Sequence, residues 1–165
     1  YCIVQPDNYE SFLKYYDPET SIQINTLEGL FVINFKKENQ LYYYSSKKNT
    51  FNELINFKEN HSYGCLLLDS DSKSIFVIGG KYSKLVEKFS FIKGQLEELP
   101  ELPYHISEMS CCQLDNRIYC FFGLCEEKPN ESFIHYLDLD KLEEKWVKVN
   151  YEKKHLLILL QRCRW

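Results

Sequence analysis

The chain has 165 residues, 44% hydrophobic and 16% aromatic, with a formal net charge of −4. This excludes a disordered chain and suffices for one domain with a packed core, while six glycines and five prolines exclude collagen-like or linker composition. Lysine far outnumbers arginine and basic residues never cluster into a block, so a nucleic-acid partner is not expected, and no apolar run approaches the length of a membrane span. The seven cysteines are odd in number and form no dense framework. They are expected to be thiols in a reducing compartment, which places the protein in the cytoplasm.

In chain order, YCIVQPDNYESF at the start places Tyr1 and Tyr9 in short aromatic stretches that suit the last strands of a preceding unit; a short helix over ESFLKYY competes for the same residues. TSIQINTLEG (20–29) then reads as a first strand and LFVINF (30–35) as a buried second strand. Tyr44 and Phe51 mark two further strands. The cycle restarts with YGCLLLDSDSKS (63–74), whose Asp71-Ser72 suits a hairpin turn, followed by IFVIGG (75–80), Phe89 and Leu99. It restarts again with MSCCQLDNR (109–117), turning at Asp115-Asn116, followed by IYCFFG (118–123), Tyr136 and Trp146. LLILLQ (156–161) opens a fourth cycle.

Each cycle is four strands in roughly 45 residues. The apolar runs at Ile75–Ile78 and its copies lack alternation, which fits a strand near a central axis and covered on both faces. Tyr44, Phe89 and Tyr136 are read as one recurring aromatic position, and Phe51, Leu99 and Trp146 as a second, both filling wedges between sheets. Gly79, Gly80 and Gly123 end the apolar strands and leave room for a neighbouring backbone or ring. A phosphate loop at Gly79-Gly80 would need further glycines and a following helix, and KYSKLVEK (81–88) supplies neither.

This pattern resembles the kelch repeat, in which an apolar strand ends in Gly-Gly and is followed by Tyr and then Trp. Ile75–Gly80 matches the first half and Tyr136–Trp146 the second; Asn34-Phe35 and Phe122-Gly123 depart from the glycine pair. The resemblance implies an all-β fold: a kelch-type β-propeller arc of four-stranded antiparallel blades over about 18–57, 62–103 and 108–150, with partial blades at 1–17 and 155–165. An open arc exposes strand edges, so the missing blades are expected from the rest of a longer chain.

Candidate chemistry is sparse. Cys111, Cys112, Cys120 and Cys125 lack zinc-knuckle spacing, and adjacent strand residues point to opposite faces. A Cys111–Cys120 contact across the hairpin is open, but no disulfide follows from the sequence. His61 and His105 precede first strands at related positions and suit hydrogen-bonding roles. EELPE (97–101) and DLDKLEEK (138–145) read as solvated turns. No cofactor, metal or catalytic residue is expected, and the chain reads as a non-enzyme. Function is expected in the variable loops KKENQ (36–40), KYSKLVEK (81–88) and LCEEKPNES (124–132), with Lys37, Tyr82, Lys84, Glu126, Glu127, Lys128 and Asn130 as binding candidates. The family resemblance implies a protein partner, such as a ubiquitin-ligase component or a cytoskeletal protein. The alternatives are a propeller-type metal-dependent oxidase and a purely structural piece of a larger assembly.

Overall fold

The computed structural model describes residues 3–4, 29–33, 39–45, 48–69, 73–129 and 133–149. Among the described residues, twelve strands form three four-stranded antiparallel sheets and no helix occurs. The first sheet is β1 (Ile3–Val4), β2 (Gly29–Ile33), β3 (Gln40–Ser45) and β4 (Thr50–Asn56). The second is β5 (Cys65–Leu68), β6 (Ser74–Ile78), β7 (Val86–Ser90) and β8 (Gln95–Leu99). The third is β9 (Ser110–Leu114), β10 (Arg117–Phe121), β11 (Ile134–Asp138) and β12 (Val147–Lys148). Each is a meander in sequence order, and the first strands neighbour one another, β5 touching both β1 and β9. The chain is an all-β propeller arc.

The lack of alternation in IFVI has a direct physical reason. Every residue of β6 is buried, and its side chains point alternately to two different sheets. Ile75 and Val77 join Leu41, Tyr43, Phe89 and Phe91 in a core shared with the first sheet. Phe76 and Ile78 join Ile118, Cys120, Leu137 and Trp146 in a core shared with the third. Full burial of each such side chain stabilises by about 1.5–3 kcal/mol. The strand covered on both faces is thus the second of its sheet, whereas β9, a first strand, is half-buried throughout.

The first sheet also differs from its expected layout. Ile3 pairs with Val32 and Val4 with Phe31, so this stretch is the first strand of that sheet rather than the end of a preceding unit. Most of TSIQINTLEG, the ESFLKYY stretch, the Asp71-Ser72 turn and LLILLQ lie outside the described residues.

Register corrects the aromatic landmarks. Tyr44 pairs with Leu30 and Phe89 with Ile75, which are equivalent positions, but Ile118 pairs with Leu137. Leu137 is therefore the equivalent of Phe89, and Tyr136 lies one residue away, on the opposite face. There it pairs with Tyr119 and carries the Arg117 guanidinium 4.9 Å from its ring centroid. In the last strands, Tyr44 pairs with Phe51 and Phe89 with Leu96, so Leu96 rather than Leu99 matches Phe51. Phe51 fills no wedge: it is 62% exposed and packs on Tyr44. Trp146 is buried in the core between the second and third sheets, and its Nε1–H donates to the Pro100 carbonyl at 2.7 Å. One thiol expectation is also corrected: Cys112 is disulfide-bonded.

A buried polar cluster fixes the linker between the first and second sheets. His61 and Glu87 side chains are both fully buried. His61 Nδ1 lies 2.7 Å from the Gly79 carbonyl oxygen and must donate to it, while Nε2 is 2.8 Å from Glu87 Oε2. Both Glu87 oxygens also accept the Lys58 backbone N–H, at 3.1 and 3.2 Å. Every polar atom at the centre of this cluster has a partner, so its loss would strand a buried group.

Two outcomes follow for urea unfolding of the protein. Trp146→Ala lowers stability by about 3–5 kcal/mol, and Trp146→Phe, which keeps a ring but loses the donor, by a smaller amount. His61→Ala strands the buried Glu87 and costs about 3–5 kcal/mol. An unchanged midpoint for either alanine variant contradicts the packing described.

Candidate functional site

The second and third sheets each present the same local device where the second strand ends. Gly79 has φ +55° and Gly80 +143°; a Cβ on Gly80 would lie 2.8 Å from the Ser62 carbonyl oxygen, a backbone atom, so the close approach of the incoming linker requires glycine there. One sheet further on, Phe122 takes φ 56° in place of Gly79, and Gly123 takes φ 97°. Held in this left-handed conformation, Phe122 turns its side chain outward and is 43% exposed. The linkers that enter the first strands repeat as well: Tyr63 and Glu108 both adopt left-handed backbone, with φ 59° and 55°.

Backbone hydrogen bonds tie these segments into one surface. Gly80 N–H donates to the Ile106 carbonyl at 3.1 Å, Lys81 N–H to Ser62 at 2.8 Å, and Glu108 N–H to Tyr63 at 2.8 Å. Ser107 and Leu124 exchange two hydrogen bonds, at 3.0 and 2.7 Å. Over this framework lies a groove of about 560 Å³, whose wall includes Tyr63, Lys81, Tyr82, His105, Leu124 and Glu127. Tyr63, Tyr82 and Leu124 are 55%, 63% and 61% exposed. Apolar groups clustered at a groove, with charges around them, are the surface feature that marks recognition.

The charges are mainly acidic, from Glu108, Glu126 and Glu127. Lys81 sits 3.8 Å from Glu126 and 5.5 Å from the centre of the Tyr82 ring. His105 Nδ1–H donates to Glu127 Oε1 at 2.7 Å, and this hydrogen bond holds the Glu127 carboxyl below the usual carboxylate range.

Of the loop candidates, Tyr82, Glu126 and Glu127 are brought together in the groove. Lys84 lies near enough to Glu127 to favour its charged form, and the Lys128 ammonium lies 5.5 Å from the Tyr104 ring centroid. Lys37 and Asn130 lie outside the described residues. Tyr63, Glu108 and Leu124 were not singled out by the sequence reading. Their signal was positional: Tyr63 and Glu108 occupy equivalent linkers, and Leu124 directly follows the strand-ending glycine.

No family model matches the chain, and no curated protein matches it. Among solved structures, it is similar to a novel fungal alcohol oxidase with catalytic diversity among the AA5 family, in complex with copper. The TM-score is 0.59 at 11% identity, over 76% of this chain and 30% of that one, so the chain spans less than a third of the length of the structure it resembles. The likeness concerns the propeller-type fold. It also corrects the expectation of a non-enzyme: this architecture carries an alcohol oxidase, so it gives no ground for excluding catalysis. Among the described residues, no three His, Cys, Asp or Glu side chains converge to hold a metal ion.

The pH behaviour of the groove follows from Glu127. Its folded pKa is depressed, so the His105 contact contributes above the unfolded carboxylate pKa and is lost as pH falls through the lower folded value. In an NMR titration, Glu127 is expected to titrate below the ordinary glutamate value, and His105→Ala to raise its midpoint. A midpoint indifferent to His105 contradicts the contact.

Proposed function

We propose that the chain is part of a single, larger kelch-type propeller domain that captures a polypeptide partner in the groove between its second and third sheets. The observation that carries this reading is the convergence of Tyr63, Tyr82 and Leu124, each more than half exposed, at a groove rimmed by Glu108, Glu126 and Glu127. Rigid aromatic rings offer large contact area at low entropic cost, and exposed tyrosines of this kind are typical anchors. The acidic rim selects a segment carrying lysine or arginine beside an apolar side chain. The remaining sheets would come from the rest of a longer chain. Ubiquitin-ligase components and cytoskeletal proteins are the partner classes that the kelch resemblance suggests.

A second reading draws on the likeness to the copper-bound fungal alcohol oxidase: the chain would supply sheets to a propeller oxidase whose metal is held by residues other than those described. Metal analysis of the full-length protein separates the two, since stoichiometric copper together with alcohol-dependent peroxide formation favours the oxidase.

The binding reading is tested by selecting a displayed random peptide library on the full-length protein. Enriched peptides are expected to pair a basic residue with an apolar one, and to lose about tenfold or more in affinity on Tyr82→Ala combined with Leu124→Ala. Enrichment without a basic residue, or affinity unchanged by the double substitution, overturns it.

A further inference from the structure

We propose that Cys111 and Cys120 form a reversible disulfide, making the β9–β10 hairpin an oxidation site. The two residues are direct cross-strand partners, and their Sγ atoms are 3.2 Å apart as thiols. Directly opposed antiparallel residues have Cα atoms about 4.5–5.5 Å apart, inside the range of about 4.4–6.8 Å that a disulfide spans. Closing the bond therefore needs a sulfur displacement of about 1 Å and no movement of the strands. Cys112 does not compete for this position. It pairs with Tyr119 and packs on the opposite face of the sheet, beside Phe121 and Ile134, whereas Cys111 and Cys120 both face the core shared with the second sheet.

Burial orders the chemistry. Cys120 is buried and Cys111 is partly exposed, so an incoming oxidant meets Cys111. With a low-molecular-weight disulfide such as oxidised glutathione, the Cys111 thiolate attacks one sulfur, the oxidant's S–S bond breaks, and one glutathione thiolate leaves. The Cys120 thiolate then attacks the Cys111 sulfur of the mixed disulfide and expels the second glutathione. Two cysteine thiols are oxidised, one disulfide is reduced, and the two protons released by the cysteines go to the two glutathione thiolates. The new bond lies in the same ladder that runs through the Ser110–Phe121 pair to the Ser107–Leu124 bridge, which forms part of the groove wall. Oxidation would thereby staple the wall of the groove to the sheet behind it.

The test treats the folded full-length protein with oxidised glutathione, blocks remaining thiols with iodoacetamide, and analyses a non-reduced tryptic digest by mass spectrometry. Cleavage after Arg117 separates the two cysteines, so a bond between them appears as a linked peptide pair. The pair is expected from the wild type, is expected to disappear with dithiothreitol, and is expected to persist in Cys112→Ser. Cys120→Ser is expected to stop at a glutathione adduct on Cys111, while Cys111→Ser is expected to leave Cys120 unmodified. Fragment-ion sequencing of the wild-type pair locates the bond even if a variant fails to fold. Alkylation of both Cys111 and Cys120 in the oxidised wild type, or a bond from Cys120 to Cys112 in place of Cys111, overturns the proposal.

Discussion

The structure depends on one strand that has no exposed face. β6 packs Ile75 and Val77 against the first sheet and Phe76 and Ile78 against the third. A four-stranded sheet of this size has no independent core, because its apolar surface is shared between two neighbours. The arc is thus held together by interfaces between sheets, and removing one sheet would expose a face of the next. This explains why Trp146, at the far edge of the third sheet, reaches back to bond the Pro100 carbonyl just beyond the second.

Tight sheet packing determines what happens at the strand ends. The backbone of His61 and Ser62 presses against Gly80, so the chain must turn there without a side chain. His61 then bonds the Gly79 carbonyl and Glu87, locking the incoming linker against the outgoing strand. With linkers fixed on one side and loops on the other, the side chains between them are held in place although they are exposed. The groove with Tyr63, Tyr82 and Leu124 is a product of that arrangement, and it borrows its rigidity from the buried clusters beneath it.

Much of the fold was legible in the sequence. The period, the four-strand unit and the apolar second strands follow from hydrophobic runs and turn residues, and the Cys111–Cys120 contact follows from hairpin pairing. Errors arose where position along a strand matters more than residue type. Tyr136 resembled Phe89 chemically, but a longer loop shifted the register by one residue, and the true equivalent is Leu137. Leu99 is likewise apolar, but the pairing of β7 with β8 sets Leu96 opposite Phe89. Ile3–Val4 was misassigned because its pairing with β2 spans a long stretch of chain, and local pattern carries no information about such a partner. The groove was half legible: loops 81–88 and 124–132 were flagged, but Tyr63 and Glu108 reach it through linkers that showed no unusual composition.

Native-state hydrogen exchange, followed residue by residue across a range of denaturant below the unfolding transition, tests the shared-core account most directly. If β6 couples the sheets, amides of Ile75–Ile78 and of β10 open together, in one event with the highest free energy in the described residues. If β6 exchanges at a distinctly lower free energy than β10, or opens alone, the sheets are independent and the account fails.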